Sequence, residues 1–255
     1  MTDTQFHALP DGRRIAHRFT DGPGPVLVFL PGYMSDMAGS KASVLFGHAV
    51  AQRQACLLLD YSGCGESSGA FADGSLSRWR DEALALIAAR CAGRALILVG
   101  SSMGGWLMLL LAEALGDRVR GLIGIAPAPD FTDWGFDEAQ KALLQTGETL
   151  YEDNPYGPAP TPTHPLFWAD GQANRLLHRT IAVDCPVRLL QGQHDTDVPW
   201  DTALSLAAAL RSADVQVTLI KDGDHRLSDE AQLLLLLRTA DALREQVAKA
   251  QGGAD

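Results

Sequence analysis

The chain is 255 residues long, 46% hydrophobic and 20% charged, with a formal charge of -10. That length suits one α/β domain spanning residues 1–255, and the apolar content is enough to bury a core, which excludes a disordered chain. The acidic balance excludes a nucleic-acid surface, because phosphate binding relies on clustered Lys and Arg.

From Met1 to Phe6 there is no apolar stretch of the kind a secretion signal needs, and Asp3 and Asp11 among Arg13, Arg14 and Arg18 are poor material for a transit peptide. Arg13 to Phe19 predicts a first strand. Val26 to Leu30 is a short apolar run closed by Pro31-Gly32, and Cys56 to Asp60 is another, closed by Ser62-Gly63. Ser75 to Cys91 predicts a helix, with Ser75 as its cap and Leu76, Trp79, Ala83, Leu86 and Ile87 on one face. His48 is also expected within a helix.

Ala95 to Val99 ends at Gly100, and Gly104 to Leu115 is apolar on nearly all sides, which predicts a helix buried against a sheet. Strands follow at Leu122 to Ala126, Val187 to Leu190 and Val215 to Ile220, with helices at Asp201 to Leu210 and Ser228 to Val247. Ala248 to Asp255 reads as a frayed end. Continuous apolar runs, rather than alternating ones, mark parallel strands covered on both faces. The alternation of strand and helix therefore predicts an α/β fold with a mostly parallel sheet and helices on both sides. The longest leucine run, Leu233 to Leu237, is too short to span a bilayer.

One segment breaks the rhythm. Residues 127–184 separate two strands, where a crossover needs a dozen residues or somewhat more. The segment holds Pro155, Pro158, Pro160, Pro162 and Pro165 and the aromatics Phe131, Trp134, Phe136, Tyr151, Tyr156, Phe167 and Trp168. It is expected to form a lid whose aromatic side chains line an apolar pocket.

Gly100-Ser101-Ser102-Met103-Gly104 follows a strand and opens a helix, the context that a G-x-S-x-G nucleophile elbow requires. Ser102 holds the central position. A serine hydroxyl needs a base to remove its proton, and of the seven histidines His225 lies in the loop after the last strand. Its place fits the chain order Ser, Asp, His. Between them, Gln191 to Pro199 carries two carboxylates. Asp195, three residues after Gly192 and four before Pro199, is the expected partner of the imidazole, while Asp197 is the reserve or a cap of the following turn. Oxyanion donors are expected in the backbone N–H groups of Met103 and of Tyr33, in the turn after the strand Val26 to Leu30.

Cys56, Cys64, Cys91 and Cys185 have no metal-ligand or redox spacing, and the expected compartment is a reducing cytosol.

With these residues in place, the chain resembles the α/β-hydrolase superfamily over nearly its whole length. More narrowly, it resembles the group of mitochondrial palmitoyl-protein thioesterases that also cleave acyl glucuronides. The runs that carry the narrower likeness are Pro31 to Met37, Gly39 to Ala42, Asp60 to Ser67, Trp79-Arg80, Val99 to Met108, Cys185 to Leu190, Val198-Pro199-Trp200 and Asp224-His225-Arg226. The chain departs from the superfamily at Pro31-Gly32, where His-Gly is common, and within residues 127–184. The mitochondrial address is not expected to carry over, since no presequence is visible. The resemblance implies a serine hydrolase acting on a small-molecule or S-acylated protein substrate, with no metal or cofactor. A carboxylesterase for small acyl esters and a non-catalytic ligand receptor are the competing readings.

Overall fold

The computed structural model of the chain describes residues 3–155 and 157–252. Its strands are β1 (Gln5–Ala8), β2 (Arg14–Thr20), β3 (Val26–Leu30), β4 (Cys56–Leu59), β5 (Leu96–Ser101), β6 (Val119–Ile125), β7 (Leu150–Glu152), β8 (Thr161–Thr163), β9 (Val187–Gly192) and β10 (Val215–Ile220). Eight of them form one sheet in the order β1-β2-β4-β3-β5-β6-β9-β10. The pairs β1/β2 and β2/β4 are antiparallel and the rest are parallel. This is the expected α/β-hydrolase architecture.

Helices α1 (Ser40–Ala51), α2 (Leu76–Arg90), α3 (Met103–Leu115), α4 (Phe131–Trp134), α5 (Glu138–Gln145), α6 (Pro165–Ala173), α7 (Asp201–Ala209) and α8 (Glu230–Gly252) complete the fold. Side-chain alternation explains why the strands read as unbroken apolar runs. Val26, Val28 and Leu30 of β3 enter the core beneath α2, α3 and α7, whereas Leu27 and Phe29 enter the core beneath α1 and α8. The Ser75 side chain accepts from the Arg78 N–H at 3.2 Å, so the expected cap forms. All five apolar residues assigned to the buried face of α2 are buried. Glu82 is buried with them, where it pairs with Arg13 and accepts from the Ser62 N–H at 2.9 Å.

Three local expectations change. An additional edge strand, β1, precedes the expected first one; it is short, and exposed Phe6 lies under the Arg14 guanidinium at 4.9 Å. Only the position of His48 pointed to α1, because Gly39 supplies no side-chain cap and Gly47 interrupts the pattern. Ala248 to Gly252 continue α8 instead of fraying, anchored by buried Leu236, Ala240, Leu243 and Val247 on one stripe. Residues 253–255 of the expected tail, and Met1 and Thr2, lie outside the described residues.

Residues 127–184 carry α4, α5, the β7/β8 hairpin and α6, rather than an irregular loop. Asp137 and Gln140 form a reciprocal capping box at the start of α5, and Pro165 opens α6 with its preset φ. Phe131 and Phe167 reach down to the main core, with ring centroids 5.6 Å apart and each packed against Tyr33. Among the described residues, no helix is long and apolar enough to cross a membrane.

Candidate active site

β5 is central and buried along its whole length, and it delivers Ser102 at its carboxyl end as the cap residue of α3. Ser102 sits at φ 53° and ψ -121°, a left-handed conformation that a side chain strains. The turn is held by Ser102 N–H on the Ile125 carbonyl at 2.9 Å and by Ala128 N–H on the Ser102 carbonyl at 3.1 Å. Glycine is required on both sides: a Cβ on Gly100 would strike the Gly104 carbonyl, and one on Gly104 would strike the Leu30 carbonyl. The strand-turn-helix pattern thus projects Oγ from the sheet edge beside the unpaired N–H groups of the first helical turn.

Parallel pairing of β9 with β10 brings the two following loops together. Gln193 N–H donates to the Ile220 carbonyl and His194 N–H to the Gly223 carbonyl, both at 2.9 Å. A Cβ on Gly192 would collide with Gly223. That clasp places His225 between two groups, with Nε2 3.1 Å from Ser102 Oγ and Nδ1 2.9 Å from Asp195 Oδ2. The Asp195 side chain is fully buried and that of His225 is 15% exposed.

Burial works to raise the Asp195 carboxyl, but its bonds to His225 and to the N–H groups of Val198 and Asp197 outweigh it, and it lies below its ordinary value. An ionised Asp195 accepts, so Nδ1 carries the proton and Nε2 is left to accept from Ser102. Asp197 approaches the other ring nitrogen, its Oδ2 4.0 Å from Nε2. Asp195 also caps the turn that follows it, its Oδ1 accepting from Asp197 N–H at 2.9 Å and Val198 N–H at 2.8 Å.

Met103 is the first residue of α3, directly after Ser102. Gly32 lies against it from the other side, since a Cβ there would be 3.3 Å from Ser102 Cβ. Met103 thus follows Ser102 in the chain, and Tyr33 follows Gly32, the residue that packs on Ser102. The Tyr33 side chain turns away, and its hydroxyl donates to the Pro162 carbonyl of β8 at 2.9 Å. Burial holds that phenol well above its usual range. Tyr33→Phe is expected to lower stability by about 1 kcal/mol in thermal unfolding, because the ring contacts persist and one hydrogen bond is lost.

Three residues of the site had no assigned role in the sequence. Asp60 accepts from Met37 N–H at 2.7 Å and Glu66 N–H at 2.9 Å, tying the loop after β3 to the loop after β4. Its burial pushes the carboxyl upward against those two bonds. Lys41, on the cavity wall, donates to the Arg226 carbonyl beside His225, and burial draws its ammonium down to about 8. Gln191, fully buried in β9, donates to Asp195 Oδ2 at 2.9 Å. Asp60 opens the run Asp60 to Ser67, but a carboxylate's backbone partner in another loop leaves no local signal.

Ser102 and His225 open on a cavity of about 670 Å3. Phe131, Trp134 and Phe136 from residues 127–184 border it, as do Glu152, Asp153 and Lys41. The lining is thus more charged than the apolar pocket expected. Tyr151 is instead exposed to solvent, and Tyr156 lies outside the described residues.

Fold and site define an α/β hydrolase: residues 27–250 match the alpha/beta hydrolase family, and the chain belongs to it. It is a hydrolase. Among individual proteins, it is 36% identical over 255 residues to human palmitoyl-protein thioesterase ABHD10, mitochondrial, covering 96% of this chain and 81% of that one. The solved structure of mouse alpha/beta hydrolase domain-containing protein 10 superposes with a TM-score of 0.88 at 36% identity, covering 96% of this chain and 100% of the other. A structure from Agrobacterium vitis S4 also gives 0.88, at 37% identity over 95% and 99%.

These relatives overturn the cytosolic expectation, since all five curated ones are named mitochondrial. The four cysteines are free, with Cys56, Cys64 and Cys91 buried.

Proposed function

We propose that the protein is a serine hydrolase that cleaves acyl thioesters or esters through an acyl-enzyme intermediate, with S-acylated cysteines or acyl glucuronides as substrates. The observation that carries this reading is the unbroken hydrogen-bond chain from Asp195 through His225 to the Ser102 hydroxyl, at the edge of a substrate-sized cavity. The name of the human relative supports the thioester.

In this mechanism His225 Nε2 takes the proton as Ser102 Oγ attacks the acyl carbon. The developing oxyanion rests on the N–H groups of Met103 and Tyr33, and Asp195 stabilises the imidazolium. The C–S or C–O bond breaks, and Nε2–H protonates the leaving thiolate or alkoxide. Water, deprotonated by His225, then attacks the acyl-serine ester, the acid leaves, and Ser102 regains its proton. Residues 127–184 act as the lid, with Phe131, Trp134 and Phe136 as an apolar wall for the acyl chain.

The charged lining at Glu152 and Asp153 favours a second reading, a carboxylesterase for small polar esters. Matched thioesters and oxygen esters of increasing acyl length separate the two. Under the first, kcat/KM climbs by up to about fourfold per buried methylene and is higher for thioesters. A maximum at short oxygen esters would select the second. A folded protein that hydrolyses neither and resists a fluorophosphonate probe would sink both.

A further inference from the structure

We propose that Gln191 is a positioning residue for this reaction: its amide pins Asp195 Oδ2 against His225 and takes up part of that oxygen's charge. The proposal rests on the serine-hydrolase reading of the site.

Gln191 is the penultimate residue of β9 and is 0% exposed. Its Nε2 donates to Asp195 Oδ2 at 2.9 Å, the same oxygen and the same distance as His225 Nδ1. The amide nitrogen also reaches the Gly192 carbonyl, at 3.3 Å. The flipped amide would set three acceptors against one another with no proton between them, so this orientation is required. Oε1 has no partner among the described residues. A buried amide with an unpaired oxygen adds little to folding stability and can subtract from it. Its contact with Asp195 is what an apolar side chain of equal size could not supply.

The geometry gives that contact two effects. Backbone N–H groups of Asp197 and Val198 hold Oδ1 alone, and Gln191 fixes the other oxygen, so the plane of the carboxylate is set before His225 docks. The second donor on Oδ2 also tempers how strongly Asp195 favours the imidazolium. The other carboxylate near the ring, Asp197, has its Oδ2 4.0 Å from Nε2, whereas the Gln191 amide bonds Asp195 directly, so changes at Gln191 act through Asp195.

Gln191→Met matches length without a donor, and Gln191→Leu provides a second variant should one pack poorly. Expected for both are a kcat about tenfold lower at unchanged KM and an acid limb of kcat/KM moved to higher pH. The imidazole Nδ1 proton resonance should move further downfield, and Tm should be unchanged or raised. Wild-type kcat, limb and resonance would overturn the proposal. So would a rate loss that follows a fall in Tm while limb and resonance stay put. The hydrolase reading fails separately, through an unlabelled wild type, and the resonance needs no turnover.

Discussion

Ser102→Ala is expected to lower kcat for ester or thioester hydrolysis by about a millionfold and to abolish fluorophosphonate labelling. The substitution keeps the Cβ, so the backbone strain at φ 53° and the hydrogen bonds that hold the turn should survive. Circular dichroism and Tm should match the wild type. Residual catalysis would come from the backbone donors and from binding, which remain when the nucleophile is gone. Ser102→Gly is the informative companion. It should be equally inactive but more stable, because glycine adopts the left-handed turn without strain. A Ser102→Ala protein that still hydrolyses esters at the wild-type rate would end the covalent mechanism.

Asp195→Asn should cost about ten thousandfold in kcat near neutral pH, for a reason visible in its four bonds. The N–H groups of Asp197 and Val198 require an acceptor at one side-chain position, so the asparagine oxygen must sit there. Its NH2 then faces His225 Nδ1 and Gln191 Nε2. His225 would have to accept at Nδ1 and carry its proton on Nε2, pointing at Ser102, where it cannot remove one. Asp197→Asn should change kcat far less. Asp195→Asn also tests linkage. Asp195 is held below its unfolded value of 3.8, so it stabilises the fold above that pH and loses this as pH falls through the lower folded value. Stability of Asp195→Asn should accordingly fall less between neutral and acid pH.

Much of the fold was legible because its signals are local. Val26–Leu30 and Val215–Ile220 form strands at their expected bounds, and Ser75 caps its helix. What escaped had weak local signals: a four-residue edge strand, and a helix opened by an uncapped glycine. The composition of residues 127–184 announced an insertion but not its hairpin, whose short strands are defined by pairing with each other. The described aromatics there divide among core, cavity and, for Tyr151, solvent, a partition that depends on how each element docks.

At the site, chain order named Ser102, Asp195 and His225, and the fold brings them within 3.1 Å and 2.9 Å. Periodicity, glycine spacing and motif order lie within one stretch of chain, so the sequence alone determined the fold class and the candidate nucleophile, acid and base. The tertiary structure decided the rest: that Asp195 also caps its own turn, that Asp60 joins two loops, and that Gln191 shares an oxygen with His225. Those contacts follow from strand register and loop closure, which place a side chain to within an ångström, and no local pattern of residues carries that precision.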